Sequence, residues 1–489
     1  MRSFLTPALH KLVASLLTGV LISFSATGNS DLPDLGDESA AVMSPYEEQR
    51  LGEAYMQQAR QQMNFISDPE LLDYIDRLGQ RLAKHSDQPD QSFRFFLVSD
   101  SSINAFAVPG GYITLHSGLI TSAENENELA AVIAHEIAHI TQRHIPRLLA
   151  AKQKSALPSM AALLAAIVLL NSGNIEGGQA AVALSTAGVI QREINFTRHH
   201  EEEADRVGTR ILADAGIDPR AMPDFFKRLV SWGRLYNTNL PEFLQTHPLS
   251  TRRLTESENR AETYPRQVAT PSADFHHAKA RLRALVTSQA PEETVKYFQS
   301  SLEDKKYQFE QAERYGHALA LGRAGRYEAS IKELNQLLAK PAYAKHHKLY
   351  QRALANAYAA SGQQAKANTQ FQQLLNKQPD DQATLISFAT ILLKARQHEK
   401  AYEILRKSVR IDNQNPEIQR MLATAAGETG RTIESHRAMA EYYFMSGVPS
   451  MALEQLKIAK RFAKDNPYHL AAIEARTVTV NETLKQASR

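Results

Sequence analysis

The chain has 489 residues, 43% of them hydrophobic and 22% charged, so it is long enough to fold as two or three domains with separate cores. Its 56 lysines and arginines nearly balance its 53 aspartates and glutamates, and no basic cluster interleaved with aromatic residues would follow a phosphate backbone. We therefore expect no nucleic-acid partner. There are no cysteines, which excludes disulfide bonds and a lipid attached through cysteine.

The N-terminus has the pattern of a signal peptide. Arg2 and Lys11 precede an apolar stretch from Leu12 to Phe24, and small residues follow at 26–28. Residues 1–28 are therefore predicted to be cleaved on export of the mature chain. A retained membrane anchor is the alternative, but the stretch is shorter than the ~20 residues that a spanning helix needs.

Helical and strand patterns alternate in the next part of the chain. Residues 40–90 show the apolar spacing of helices with one buried face. Residues 93–120 are rich in aromatic and β-branched residues and contain Pro-Gly-Gly at 109–111, which predicts two or three strands with a tight turn. The helical pattern returns at Ser122, with acidic residues at 124–128 near the positive end of the predicted helix dipole.

Two segments without charge lie at 155–175 and 177–191. The first is apolar throughout from Met160 to Leu170, which is too short to span a membrane, and glycine and asparagine interrupt both segments. We favour a buried or lid-like helical hairpin over a transmembrane hairpin.

From about residue 272 the chain reads as repeated helix pairs. Equivalent turns, spaced by 37, 34 and 34 residues, fall at Gly325, Gly362, Arg396 and Gly430. A 34-residue helix-turn-helix period is that of the tetratricopeptide repeat, in which each pair buries its apolar face against the next pair. Gly447 follows after only 17 residues, so the last pair is either shifted in register or a cap. We predict a solenoid, with irregularly packed helices as the alternative.

The strongest local motif is HEIAH at residues 135–139. His135 and His139 lie four apart on a predicted helix, so both project from one face and can share a cation. In sites of this pattern the glutamate, here Glu136, is the general base beside the metal. An apolar stripe on the opposite side is formed by Leu129, Ile133, Ile137 and Ile140. A chance match in a chain with 17 histidines is the alternative, but the helical setting favours zinc.

The third ligand decides the class of zinc site. A metzincin needs glycine three and histidine six residues after the second histidine, where this chain has Gln142 and Ile145. His144 is one position off, and we expect it either at the surface or behind a ligand.

Glu201 and Asp205 form another pair four residues apart on a predicted helix. A carboxylate can complete a catalytic zinc site with two histidines and leave the fourth position open to water. Glu201 is therefore the candidate third ligand, and Asp205 could orient a ligating histidine without binding the metal. Glu202 and Glu203 are expected on a solvated acidic face.

A further element places His247 before a proline and Arg253 six residues later. A lone histidine more often packs in a core or bonds to backbone. Beside a zinc site, His247 would be either a fourth ligand in a resting state or a donor to the oxyanion of the tetrahedral intermediate. Both roles stay open at this point.

Four segments together resemble a known family, and in chain order they read NAFAVPGGYITLHSGLI, HEIAHITQRH, EEEADRVG and THPLSTRRL. They are similar to the zinc metallopeptidase family that includes HtpX and the CaaX prenyl proteases, and the signal peptide and repeats point to its soluble periplasmic branch. The resemblance covers almost the whole mature chain. It implies a mainly α fold with a small β-sheet: a zincin-like metalloprotease domain at 29–271, then an α-helical tetratricopeptide-repeat solenoid at 272–489.

The resemblance also implies roles for individual residues. One zinc ion per chain would be bound by His135, His139 and Glu201, with His247 gating it as a further ligand. The catalytic set would be Glu136, Asp205, His247 and Arg253, with Glu136 as the catalytic glutamate. The strand around 104–112 would present an edge to which a substrate peptide pairs as an added strand.

Partners follow from the resemblance as well. The repeats would bind outer-membrane β-barrel proteins and their assembly machinery, and the protease would degrade unfolded or misassembled polypeptides; peripheral membrane association is left open. A rival function is a periplasmic chaperone or adaptor whose protease is normally latched by His247. A metal-free oligomeric chaperone is a third, which the ligand pattern disfavours.

Overall fold

The computed structural model describes residues 43–153, 187–235, 241–267 and 271–487. The predicted signal peptide lies outside these ranges. So does the predicted apolar hairpin, except that 187–191 form the start of a helix. Among the helices within these ranges, none is both long enough and apolar enough to cross a membrane.

Two capped helices open the described chain, α1 (Pro45–Gln62) and α2 (Pro69–Ala83). Ser44 and Glu47 cap α1 reciprocally, each accepting a hydrogen bond from the other's backbone N–H at 3.3 and 2.7 Å. Asp68 caps α2, whose apolar face is buried from Leu71 to Leu82. The helical prediction for this region is confirmed.

A three-stranded sheet follows, with strands β1 (Arg94–Val98), β2 (Ala105–Val108) and β3 (Tyr112–His116). The central strand is β3, which pairs in parallel with β1 and antiparallel with β2, so β2 lies at an edge. The turn from β2 to β3 uses Gly110 and Gly111 at φ of 87° and 88°, backbone angles that side chains other than glycine disfavour. The predicted strands and tight turn are confirmed.

The helix that carries HEIAH is at the centre of the first part of the molecule. A short helix α3 (Ser117–Ser122) precedes it, and α4 (Glu126–Thr141) begins only after Asn125, whose side chain accepts a hydrogen bond from the Glu128 N–H at 3.1 Å. α4 is buried on nearly all sides, between α2, the sheet and later helices. The sequence predicts an apolar stripe opposite the histidine face, and the structure buries both faces, as is typical of a central helix.

Five further helices complete this part: α5 (His144–Gln153), α6 (Ala187–Asp214), α7 (Ala221–Leu235), α8 (Glu242–Thr246) and α9 (Thr251–Glu262). The long helix α6 packs along α4. Gly208 permits this close approach, because a Cβ atom there would lie 3.2 Å from the His135 backbone nitrogen and 2.9 Å from Met222. Glycine at this position therefore sets the distance between the two helices that carry the site.

The remainder of the described chain is a stack of antiparallel helices, with one 3₁₀ helix at Pro341–His346. The helices are α10 (Ala273–Leu285), α11 (Pro291–Glu303), α12 (Glu310–Arg323), α13 (Tyr327–Leu338), α14 (His347–Ala360), α15 (Gln364–Lys377), α16 (Gln382–Lys394), α17 (His398–Ile411), α18 (Pro416–Glu428), α19 (Thr432–Met445), α20 (Pro449–Phe462) and α21 (Pro467–Ala487). The mainly α fold with a small sheet and a helical repeat region is confirmed.

The predicted repeat turns share one backbone geometry. Residues 325, 362, 396 and 430 all have φ between 55° and 83°, and each ends the first helix of a pair. Gly447 has the same geometry at φ 76° but lies between α19 and α20, so α19 has this turn at both ends. The helix pairing is therefore offset at the end of the solenoid.

The repeats contact the start of α2. Arg281 of α10 donates hydrogen bonds to Asp68 at 2.7 and 2.8 Å, and Arg352 of α14 pairs with Glu70; Asp68 caps α2, and Glu70 lies in its first turn. Farther along, Arg60 Nη1 of α1 donates to the Met445 carbonyl at 2.8 Å. The core of the first part also includes apolar residues of α10, so the boundary predicted at 271/272 stays a prediction.

Candidate metal centre

The two histidines of α4 project from one helix face, as their spacing predicts. His135 Nε2 and His139 Nε2 lie 3.0 Å apart, and the rings meet edge to face. His135 is 1% exposed, so its ring is enclosed by protein. Two imidazole nitrogens converging in a buried place are a typical donor pair for a divalent cation.

Glu201 of α6 brings a carboxylate to the same point. Its Oε2 lies 3.3 Å from His135 Nε2, and its Oε1 lies 3.4 Å from His139 Nε2. Burial opposes its charge, but His247 and the hydrogen bonds from His135 and His247 outweigh burial and hold the pKa of Glu201 well below its ordinary value. The carboxylate is therefore ionised, which is the form that binds a cation.

His247 follows α8 and also faces this point. Its Nδ1 lies 3.1 Å from Glu201 Oε1 and 3.4 Å from His135 Nε2, while its Nε2 lies 3.5 Å from Glu136 Oε1. Phe243 stacks on the His247 ring at 4.7 Å between centroids, and the Phe243 N–H donates to the Ile103 carbonyl beside β2. The sheet and α8 together fix where this histidine lies.

The four groups form one cluster whose ligand atoms lie within 4.8 Å of one another. Around a tetrahedral cation with bonds of about 2.0–2.2 Å, ligand atoms are about 3.3–3.6 Å apart. The distances given above between the ligand atoms, 3.0 to 3.4 Å, lie at this spacing or up to 0.3 Å below it. The donor set therefore fits a divalent metal.

Asp205 and Arg253 lie behind the cluster and do not enter it. Asp205 Oδ1 is 3.1 Å from His135 Nδ1, the ring nitrogen that faces away from the cluster. Arg253 donates two hydrogen bonds to the Asp205 carboxylate, at 2.8 and 2.9 Å, and one to the Pro248 carbonyl at 2.7 Å. Its Nη1 also lies 3.0 Å from Glu201 Oε2, so its contacts are with carboxylates and backbone. The arginine can therefore position site residues, but it does not present its guanidinium to a substrate.

Glu136 lies beside the cluster, where its Oε1 is 3.5 Å from His247 Nε2. It is 1% exposed, and its Oε1 has no hydrogen-bond partner among the described residues. Burial raises the pKa of Glu136 above its ordinary value, and the backbone N–H of Ala107 on β2 donates to this carboxylate. A buried carboxylate with a raised pKa and a free oxygen is suited to accept and return a proton.

His144 was expected at the surface or behind a ligand, and it lies behind His139: it is 3% exposed, and its Nδ1 is 2.8 Å from His139 Nδ1. Glu203 was expected on a solvated face, but it accepts a hydrogen bond from Arg147 at 2.7 Å and lies 3.3 Å from His144. Glu202 was expected on the same face; its side chain is 19% exposed and lies 3.3 Å from exposed Arg252.

Arg143 is a residue that sequence reasoning missed. It has φ 53°, which reverses the chain directly after α4 and directs His144 back toward the site. Its guanidinium bonds Glu48 at 2.6 and 2.9 Å and the Met43 carbonyl at 2.6 Å. Arg143 belongs to the HEIAHITQRH segment that the sequence singles out, but the spacing of the histidines does not reveal a residue with positive φ.

Comparisons with known proteins agree with both parts of the chain. The family model described as peptidase family M48 matches residues 69–261, and a tetratricopeptide-repeat model matches residues 358–425. The beta-barrel assembly-enhancing protease of Escherichia coli (strain K12) is 33% identical over 95% of this chain and 94% of its own length. That of Yersinia pestis is 31% identical over 95% and 96%. The mitochondrial metalloendopeptidase OMA1 of Schizosaccharomyces pombe is 29% identical over 42% of this chain and 56% of its own length.

Proposed function

Because the chain belongs to the beta-barrel assembly-enhancing protease family and is therefore a metalloprotease, we propose that it is a periplasmic zinc endopeptidase that promotes assembly of outer-membrane β-barrel proteins and degrades misassembled ones. The observation that carries the proposal is the convergence of His135, His139 and Glu201 beside Glu136, whose Oε1 accepts no hydrogen bond from the described residues.

Zinc is the metal that this donor set favours. Two neutral imidazoles and one carboxylate, leaving a fourth position, form the ligand set of catalytic zinc sites. Burial lowers the pKa of His139 well below its ordinary value, so its ring is neutral and free to bind through Nε2. A zinc ion held there would supply Lewis acidity toward a peptide carbonyl and toward water.

Glu136 would carry the proton transfers. Its free Oε1 accepts a proton from the attacking water and later returns it to the leaving amine, while the Ala107 N–H holds the carboxylate in place. Asp205 and Arg253 act as positioning residues, since they hold His135 from its Nδ1 side.

The substrate would pair with β2, one of the two edge strands of the described sheet. The His116 N–H donates to the Asn104 carbonyl at 3.0 Å, so by alternation the backbone groups of Ala105 and Ala107 face away from β3. Ala107 also contacts Glu136, so a peptide added to this edge would pass beside the general base.

His247 would act as a latch that keeps the resting enzyme at low activity. Its Nδ1 is close to both His135 and Glu201, which supports the role of a fourth ligand over that of a donor pointed at solvent. As a fourth ligand it would fill the position that water needs. Substrate or partner binding would then have to displace α8 and His247 together.

The repeats would choose the partners. Tetratricopeptide repeats bind other proteins on extended surfaces, and the relatives are named for enhancing the assembly of β-barrels. Outer-membrane barrel proteins, their assembly machinery and misassembled polypeptides are therefore the proposed partners. Periplasmic localisation is supported by the signal-peptide pattern of residues 1–28 and by the same relatives.

A second candidate function is that of a latched protease acting mainly as a chaperone or adaptor, and the buried position of His247 favours it. Glu136→Gln distinguishes the protease function from the chaperone or adaptor function, because it removes the general base and keeps the shape of the side chain. If this variant fully rescues barrel assembly in cells that lack the protein, the chaperone function dominates. If it does not, proteolysis is required.

Zinc content of the purified mature protein tests the proposal first. We expect about one zinc per chain, lost in a His135→Ala, His139→Ala double variant. A histidine pair outside the site, His436→Ala with His469→Ala, is the matched control and should keep the metal. Absence of zinc from the unmodified protein after incubation with zinc would overturn the proposal of a zinc peptidase, and the function would then be that of the repeats.

A further inference from the structure

A chain of polar side chains continues from His139 on the ring edge that faces away from the metal cluster. His139 Nδ1 lies 2.8 Å from His144 Nδ1, and His144 Nε2 lies 3.3 Å from Glu203 Oε2. Arg147 Nη1 donates to the same Glu203 oxygen at 2.7 Å. These contacts are continuous, so His139 is connected through His144 to the ion pair of Glu203 and Arg147.

The local structure holds His144 in this place. The positive φ of Arg143 turns the chain back, and the His200 ring stacks on the His144 ring at 4.2 Å with an interplanar angle of 8°. At 3% exposure, His144 has little freedom to rotate. Its Nδ1 edge therefore faces His139, and its Nε2 edge faces α6.

We infer that His144 and Glu203 form a positioning relay for His139, the counterpart of Asp205 and Arg253 behind His135. The inference rests on the proposed metal function, because metal binding decides where the protons are. A histidine that binds through Nε2 carries its proton on Nδ1. In His139 that N–H donates to His144 Nδ1, so the proton of His144 is on Nε2 and donates to Glu203.

The relay gives each proton one acceptor and ends on an ion pair. Arg147 balances the charge of Glu203, as Arg253 balances that of Asp205. Hydrogen bonds of this kind fix the tautomer and the ring plane of a ligand and increase its basicity. Both histidines of the HEIAH helix are then oriented from behind, one by a carboxylate and the other by a histidine and a carboxylate.

Two isosteric variants of His144 test the relay. Asparagine places its carbonyl oxygen near the position of Nδ1, and glutamine places its polar atoms near that of Nε2. His144→Asn can therefore still accept the His139 proton, whereas His144→Gln cannot. We expect the zinc dissociation constant of the full chain to rise about 10- to 100-fold in His144→Gln and to change little in His144→Asn.

The measurement is zinc competition against a chromophoric chelator, with the melting midpoint of the metal-free protein beside it. Glu203→Ala should weaken zinc binding less than His144→Gln, and Glu202→Gln, which changes a carboxylate whose partner is the exposed Arg252, should not change it. As a spectroscopic signature, the Nδ1 proton of His139 in the zinc-loaded protein should give a hydrogen-bonded NMR resonance that is lost in His144→Gln and kept in His144→Asn.

The outcomes distinguish this inference from the proposed function. If the unmodified protein binds no zinc, both are overturned. If it binds zinc and His144→Gln binds it equally well, only the relay is overturned. Equal losses of zinc affinity in His144→Asn and His144→Gln, together with equal falls in the metal-free melting midpoint, would assign His144 to packing and likewise overturn the relay.

Discussion

His247 Nδ1 lies 3.1 Å from Glu201 Oε1, although the two residues come from different helical segments. This contact brings the short helix α8 against the cluster and makes His247 a fourth member of it. The same histidine lies 3.5 Å from Glu136 through its other ring nitrogen. A single side chain therefore contacts both a proposed ligand and the proposed base.

Replacing His247 by alanine should raise proteolysis. If the latch is closed in about 90% of molecules, its removal increases the competent fraction and the rate by up to about 10-fold. The measurement is the cleavage rate of an unfolded polypeptide at saturating zinc. His199→Ala, an exposed histidine on α6, is the control. A loss of activity in His247→Ala would instead assign the residue to oxyanion stabilisation.

How much of this site the sequence predicts depends on how far apart along the chain the contacting residues are. His135, Glu136 and His139 follow from helical periodicity, because one helix turn fixes their relation. Glu201 and His247 depend on how distant segments pack; their residue types made them candidates, and the resemblance to a family supported one ligand set. The contact of His144 with Glu203 was not predicted, since it depends on the left-handed turn at Arg143.

The same distinction holds for the fold. The strand pattern and the repeat turns are local and were predicted, including Arg396, whose φ of 55° is unusual for a residue other than glycine. The pairing of Glu70 with Arg352 spans 282 residues and leaves no periodic trace in the sequence. It could be found only from the packing of the repeats against α2.

Removing Arg253 should destabilise the metal-free protein strongly. Arg253 is 1% exposed, and its loss would leave Asp205 buried without its counter-charge, which typically costs about 3–5 kcal/mol. We expect Arg253→Ala to lower the melting midpoint far more than Arg252→Ala, its exposed neighbour. Equal melting midpoints for the two arginine variants would contradict the role of Arg253 in stability.

Asp205→Asn should weaken zinc binding about 10- to 100-fold, since the side chain no longer anchors His135 as a carboxylate.

The ion pair between Glu70 and Arg352 should couple the repeats to the protease part. Both side chains are buried, so Glu70→Ala breaks a buried ion pair; because Arg352 keeps Asp381 at 2.6 Å, we expect a cost below the ~3–5 kcal/mol of a buried charge left without any partner. We expect calorimetry to show an unfolding transition that separates into two, one for each part. Asp76→Ala, at an exposed position of α2, is the control. If Glu70→Ala unfolds like the unmodified protein, the pair does not couple the two parts.

Gly447 should matter more than the other glycines of the repeat turns. Gly430 and Gly447 have nearly the same φ, 74° and 76°, so alanine strains the backbone equally at both. A Cβ atom at Gly430 would meet nothing within 4 Å, whereas one at Gly447 would lie 2.3 Å from the Gln57 carbonyl oxygen of α1. Gly447→Ala should therefore separate α19 and α20 from α1, and Gly430→Ala should not.

Hydrogen exchange of α1 measures this separation. We expect the amides of α1 to exchange faster in Gly447→Ala than in Gly430→Ala, at similar loss of overall stability from backbone strain, about 1–2 kcal/mol each. The hydrogen bonds lost would include those from Arg60 to the Met445 carbonyl and from Gln61 to the Gly447 carbonyl. Identical exchange in the two variants would show that this contact does not protect α1.

Asp381 should make the repeats sensitive to acid. Burial alone would raise its pKa, but Arg352, Lys348 and Thr384 outweigh burial and lower the pKa of Asp381 to about 2. Since the folded state binds this proton less readily than the unfolded state, the carboxylate stabilises the fold above its unfolded pKa of about 3.9. That stabilisation, about 1–2 kcal/mol, is lost as pH falls from about 4 to 2.

Asp381→Asn should therefore be less stable than the unmodified protein at pH 7, and it should lose less further stability as pH falls from about 4 to 2. Chemical unfolding at a series of pH values measures both effects, with exposed Asp380→Asn as the control; parallel curves for Asp381→Asn and the unmodified protein would show that this carboxylate is not responsible.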